Sequence, residues 1–278
     1  MSLELAGGPN PASIESMANA GALLTERGRA GEGLVLLEKA RAWAAELFEP
    51  AHPLRLGVEF GVAKALLALE RAGEAAVILE EQRRLAGAGG SSDARADLAL
   101  VFTLARAYEG AGNVERAIES LEEAGGMAAM GSGAPPLLGE IIDLKILVLK
   151  ACGLGERGLI PRVLAGVQGL AAHAGATPMA ARSLVEAAGV LWRHGEILAA
   201  HVVARQALGE VSDPGARARL LLFVARAQVS EGDLVGARAT LAEARDRART
   251  GGPGAARTLG EVESLLGQLS PPAAAAER

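Results

Sequence analysis

The chain has 278 residues, a net charge of -5 and a pI near 5.6, and half of it is apolar although only 3% is aromatic. That acidity argues against a general nucleic-acid binder, no apolar run reaches the roughly 18 residues that a membrane span needs, and the single cysteine, Cys152, rules out a disulfide framework or a thiolate metal cluster. The apolar content is mostly Ala, Leu and Val, strand formers are sparse, and an all-α chain is the expectation.

Residues 1–10 lack a basic stretch followed by an apolar core, so they do not read as a secretory leader. They are expected to be disordered, and the protein to be cytoplasmic. The first helix starts at Asn10-Pro11, a capping residue followed by proline at the first helical position. Gly28 ends it, and Leu37 and Ala40 mark its partner. His52-Pro53 opens the next pair, with Ala65 and Ala68 ahead of a turn at Gly73 and a Gly/Ser-rich linker over 87–92.

The phrase is clearest in the third pair: Leu104-Ala105-Arg106-Ala107-Tyr108, then Gly112-Asn113, then Ala117, Leu121 and Ala124. Glycine closes the first helix because an αL residue there carries no Cβ strain. Asn113 then caps the second helix. A second Gly-rich linker is expected over 125–136. The fourth pair, 137–175, is the least regular: an apolar run, Ile141 to Leu149, leads into the glycines 153, 155 and 158, and Lys145 or Lys150 falls where a small residue is expected.

Thr177-Pro178 starts the fifth pair, with Ala187, Ala188, Gly195, Glu196, Ala200, Ala204 and Ala207. Glu196 is read as a first-turn acid favoured by the helix dipole. Asp213-Pro214 starts the sixth, with Val224-Ala225-Arg226-Ala227, Gly232-Asp233, Ala237, Leu241 and Ala244. With turns at Gly28, Gly73, Gly112, Gly153 or Gly155, Gly195 and Gly232, and Gly153 taken for the fourth, the spacings are 45, 39, 41, 42 and 37. This predicts about six hairpins over 11–269, closed by a helix at 255–269 that caps the last apolar face. The tail, 270–278, is expected to be disordered.

The phrases around Gly112, Gly195 and Gly232 resemble the tetratricopeptide repeat. The period is longer than the usual 34 residues or so and is similar to that of kinesin-light-chain-type and bacterial signalling arrays, in which a His-Pro pair like His52-Pro53 also occurs. The resemblance implies a right-handed α-α superhelix of about six helix pairs. It also implies a non-enzymatic scaffold that holds a peptide or protein partner in a concave groove, with no cofactor, no nucleic acid and no membrane. A regulatory part of a bacterial signalling protein is one such role. The alternative is a sensor taking a small molecule or short signal peptide, for which the irregular fourth pair is the place to look.

Catalytic and cofactor chemistry is poorly supported. Gly153-Leu-Gly155-Glu-Arg-Gly158 spells the dinucleotide fingerprint after a strand-like run, but no acid follows between Glu156 and Glu186, so a glycine-rich hairpin turn is the better reading. His52, His173, His194 and His201 lack the i, i+4 spacing that pairs imidazoles on zinc, and end-capping or surface roles suit them better. Cys152 has apolar neighbours and reads as a buried structural thiol. The pairs Glu80-Glu81 and Glu122-Glu123 read as solvated helix faces.

Carrying the groove positions of the repeat onto this chain selects Phe102 and Arg106 in the third pair; Arg182, Trp192 and Arg193 in the fifth; and Arg219, Leu222 and Arg226 in the sixth. Arg and Trp are over-represented at binding hot spots, and Arg grips carboxylates with a two-pronged fork. The resemblance therefore implies an acidic peptide with an apolar anchor against Trp192. Against this stands the fact that only four basic residues are Lys (Lys39, Lys64, Lys145, Lys150), so Arg is the ordinary surface cation of this chain. The asparagines that mark a clamp for chaperone tails are missing, their place being taken by Ala22, Leu67, Arg106, Gly189 and Arg226.

Overall fold

The computed structural model describes residues 8–89, 93–130, 134–135, 137–174, 177–251 and 255–269. Among these there are thirteen α-helices and no strand: α1 (Pro11–Glu26), α2 (Ala30–Leu47), α3 (Pro53–Ala68), α4 (Ala72–Gly89), α5 (Ala94–Gly110), α6 (Val114–Ala129), α7 (Leu138–Val148), α8 (Ile160–Ala174), α9 (Pro178–Arg193), α10 (Ile197–Glu210), α11 (Pro214–Ser230), α12 (Leu234–Thr250) and α13 (Ala256–Leu269). The chain falls into two compact units, 1–138 and 139–278. In each, consecutive helices pack against one another as stacked hairpins. The segments expected to be disordered, 1–10 and 270–278, lie almost wholly outside the described residues.

Helix starts follow the capping residues. Asn10 accepts from the Ser13 N–H, Asp93 from Arg95 and Ala96, Asn113 from Arg116, Thr177 from Ala180, Asp213 from Ala216, and Asp233 from Gly236. His52 does the same with its ring: Nδ1 accepts from the Leu54 N–H at 3.2 Å while the imidazole stacks on Phe48, centroids 4.0 Å apart. Glu196 sits at the head of α10 without a side-chain cap bond, and its carboxylate meets Arg157 at 3.0 Å instead.

Positive φ marks the hairpin turns at Gly28, Gly112, Gly155, Gly195 and Gly232, and in the second hairpin at Glu70, φ 62°. Gly73 is not the turn; it lies in the first turn of α4. Of the two candidates for the fourth turn, Gly155 takes the left-handed conformation, whereas Gly153 ends a π-helical turn, Leu149–Gly153. The spacings become 42, 42, 43, 40 and 37, and the repeat is more regular than the glycines alone suggest.

With that register the packing rule is plain. Seven residues before each turn stand Gly21, Ala63, Ala105, Ala188 and Ala225, and five after it stand Gly33, Ala75, Ala117, Ala200 and Ala237, all buried. Small residues there let the two helices of a hairpin approach closely. Nine after the turn, Leu37, Leu79, Leu121 and Leu241 are fully enclosed. The fourth pair has Val148 and Ile160 at the two crossing positions. Its bulkier residues accompany the π-helical turn and a 3-10 turn, Arg157–Leu159, that separate α7 from α8. The linkers are shorter than expected, because α4 runs to Gly89 and α6 carries Gly125 and Gly126 within it.

Candidate functional site

In the second unit α9, α11 and α13 are the first helices of successive repeats, and the C-terminal ends of α9 and α11 meet the length of α13 around an open-sided notch of about 760 Å3. Trp192 comes from α9; Arg226, Val229 and Ser230 from α11; Arg257, Glu261, Ser264, Leu265 and Gln268 from α13. The Arg226 guanidinium lies over the Trp192 ring, 5.6 Å from its centroid, a geometry in which the electron-rich ring face attracts the cation. Arg226 Nη2 also donates to Glu261 Oε2 at 2.8 Å, and Arg257 Nε donates to Glu261 Oε1 at 3.3 Å.

α13 is held in place by its apolar side. Val262 is enclosed with Leu221, Leu222, Ala225, Leu241 and Ala244, and Ala255 packs with Ala218 and Ala248. Helix α13 thus covers the apolar face of the sixth pair, as expected of a capping helix, and also supplies one wall of the notch.

The positions selected from the sequence divide into three groups. Trp192 and Arg226 are brought together in the notch. Arg182, Arg193 and Arg219 are exposed on α9 and α11, and among the described residues none of the three has a hydrogen-bond or ion-pair partner. Phe102 and Arg106 belong to the first unit, where both are half-buried on α5 and Arg106 is likewise unpartnered among the described residues. Leu222 is a core residue, 3% exposed, and offers nothing to a ligand.

The aromatic surface beside Leu222 belongs to Phe223. Its Cζ lies 3.5 Å from where a Cβ on Gly189 would be, and Arg193 Nη1 is 3.7 Å from the same point. The carried-over position is one residue early in α11, because the neighbouring Leu222 turns inward onto Val262. The acidic wall at Glu261 was also missed. Its signal is the polar face of the 255–269 helix, where Arg257, Glu261, Ser264 and Gln268 recur at helical spacing.

Charge is unevenly shared. Residues 139–278 hold sixteen Lys and Arg against fourteen Asp and Glu, and residues 1–138 hold twelve against nineteen, so the acidity of the chain resides in the first unit.

The remaining chemical candidates are structural. Lys145 to Leu149 is helical, not a strand; Gly153 ends the π-helical turn, Gly158 lies in the 3-10 turn, and Gly155 stands between the two at positive φ. Cys152 is half-buried, and burial, then Glu196, pushes its thiol above the ordinary range, away from a reactive thiolate. His194 caps α9, His173 lies in the last turn of α8, and His201 accepts from Arg205 Nε at 3.0 Å. Glu80 is more than a solvated acid: it accepts from the Tyr108 hydroxyl at 2.7 Å and from Arg116 at 2.8 Å. Among the described residues no group of three His, Cys, Asp or Glu side chains is placed to hold a metal, and no helix is long and apolar enough to cross a membrane.

No protein-family model matches the chain, and no curated protein is similar to it. Solved structures are. NprR in complex with its cognate peptide NprX is 14% identical, with 95% of this chain and 74% of that one covered at a TM-score of 0.61. A kinesin light chain with nearly identical TPR-like repeats from Podosopora anserina is 21% identical, with 87% and 99% covered at a TM-score of 0.44. BtubC from P. vanneervenii is 16% identical, with 86% and 92% covered at 0.49. The fold is that of a tetratricopeptide-like helical repeat protein.

Proposed function

We propose that the protein is a non-enzymatic scaffold whose second unit holds an acidic peptide or protein segment. The observation that carries this reading is the set of unpartnered arginines. Arg182, Arg193 and Arg219 stand exposed on α9 and α11 without an acid among the described residues to meet them. Elsewhere Arg29, Arg71 and Arg84 are each closed by a glutamate three residues away. A guanidinium left open presents its donors in a fork matched to a carboxylate. Phe223 and Trp192 beside these cations supply apolar surface for an anchor.

The similarity in fold to NprR, whose structure holds a peptide, supports a peptide as the ligand. The same reading makes the chain a cytoplasmic regulatory element, such as part of a bacterial signalling protein. A second reading, a sensor for a small molecule, is favoured by one observation: the notch at Trp192 has a volume within the usual range of small-ligand sites, about 300–1,000 Å3. The fourth pair does not favour it, because Leu138, Ile141, Ile142, Leu144, Val148 and Leu149 form core.

Binding to a peptide array that varies charge and apolar content tests the proposal. Wild-type protein is expected to select peptides combining glutamate or aspartate with leucine or an aromatic residue, and the triple variant Arg182→Glu, Arg193→Glu, Arg219→Glu to lose them at least tenfold. Selection indifferent to peptide charge, or equal retention by the triple variant, overturns it.

A further inference from the structure

Glu261 occupies, within the same chain, the place that a ligand carboxylate would take. It is a half-buried acid on α13, and both of its oxygens are engaged by arginines of the notch: Oε2 by Arg226 at 2.8 Å and Oε1 by Arg257 at 3.3 Å. Arg226 is also the cation stacked on Trp192, so the one acid that lines the notch among the described residues sits on the arginine best placed to present a peptide carboxylate beside an aromatic anchor.

This contact is not needed to hold α13. The helix is fixed by Val262, enclosed among Leu221, Leu222, Ala225, Leu241 and Ala244, by Ala255 against Ala218 and Ala248, and by the buried Thr258. The ion pair itself is partly solvated, with the Arg226 and Glu261 side chains 28% and 36% exposed, and such pairs contribute little to stability. An acid that stabilises little, yet neutralises the central cation of a cleft, has its main effect on what the cleft will accept.

We infer that Glu261 is a built-in competitor: it lowers the affinity of the Trp192–Arg226 notch for a peptide carboxylate and sets a threshold that only an acidic ligand with a good apolar anchor overcomes. The inference rests on the acidic-peptide reading and adds its regulation. Displacement costs the ligand one charge-assisted contact and returns another in kind, so affinity is tuned without loss of specificity. Exchange of carboxylates also leaves the backbone of α13 where it is, because the apolar side of the helix is untouched.

The test uses the full chain with Trp43→Phe, so that Trp192 is the only tryptophan, and follows its emission while adding an N-acetylated, C-amidated peptide of alternating glutamate and leucine. Glu261→Gln is expected to tighten binding about three- to tenfold in low salt, as removal of one competing charge pair predicts. The gain should shrink as salt is raised and vanish when Arg226→Gln is added. Glu261→Ala serves as a second variant, and melting temperatures within a few degrees of wild type show that α13 remains docked. Unchanged or weaker binding by both Glu261 variants overturns the competition; if Arg226→Gln then still weakens the parent, the acidic-peptide reading survives alone. Absence of binding by the parent and by both variants overturns both for this notch.

Discussion

Gly21 of α1 and Gly33 of α2 meet backbone to backbone: a Cβ on Gly33 would lie 2.6 Å from the Gly21 carbonyl oxygen, and a Cβ on Gly21 would lie 2.8 Å from the Gly33 carbonyl oxygen. Alanine fills the equivalent positions of four other hairpins, so the first crosses at shorter range than they do. Gly33→Ala is expected to destabilise by about 1–3 kcal/mol, the usual cost of forcing a methyl group into packed surroundings. A melting temperature unchanged from wild type would show that the helices separate without strain.

Gly73 behaves oppositely. It lies in α4 with nothing within 4 Å of an added Cβ, so Gly73→Ala is expected to be neutral or to stabilise by up to about 1 kcal/mol through helix propensity. At Glu70, φ 62°, a side chain in the left-handed region costs about 1–2 kcal/mol that glycine avoids, and Glu70→Gly should raise the denaturation midpoint. If instead Gly73→Ala is the damaging change and Glu70→Gly is harmful, the second turn lies where the glycine spacing put it.

That pair of residues shows how far the sequence could be followed. Helix starts were legible because Asn10, Thr177 and Asp213 combine a capping oxygen with a following proline, two independent signals for one boundary. Five of the six turns were within reach because glycine advertises φ above zero. The second was not, since nothing in the chemistry of glutamate announces αL, and a nearby glycine drew the turn three residues onward. The site was legible in part for a similar reason. Arginines declare themselves, but whether Leu222 or Phe223 faces outward depends on a rotation of one residue along α11. The partner of Arg226 sits 35 residues away on α13, a relationship that no local pattern carries.

Tyr108 gives a pH-dependent prediction. Its hydroxyl donates to Glu80, Arg116 lies over its ring at 5.3 Å, and burial, followed by Glu80, raises its pKa above the ordinary 10.0. The folded state therefore holds the phenolic proton more tightly than the unfolded chain. This contribution is fully present below pH 10 and is lost as pH rises from there through the folded-state value. Tyr108→Phe should cost about 1–2 kcal/mol at pH 7, the scale of a hydrogen bond to a charged group at a partly exposed site. The difference between wild type and variant should fall at pH 10–11 in urea titrations; a difference constant with pH would mean that the hydroxyl is not the group responsible.

Asp213 tests the capping account. Its carboxylate accepts from the Ala216 N–H at 2.7 Å at the head of α11, the helix that carries Arg219, Phe223 and Arg226. Asp213→Ala should cost about 1 kcal/mol, and Asp213→Asn or Asp213→Ser should recover most of it. Chemical denaturation of the three variants decides this, and equal stability of all three would deny the cap an energetic role.

Salt dependence separates the groove arginines from the notch. Arg182, Arg193 and Arg219 are exposed, so their attraction for an acidic peptide is exerted through water and fades over a screening length of about 10 Å at 0.1 M salt. Arg226 is more enclosed, and its contact with a carboxylate is less screened. Charge reversal at Arg193 should therefore slow association and flatten the salt dependence of binding, with little change in dissociation, whereas Arg226→Glu should chiefly speed dissociation. Stopped-flow emission from Trp192 with the glutamate–leucine peptide measures both rates. If the two variants alter the same rate to the same degree, the arginines form one undifferentiated patch, and the distinction between steering and holding falls.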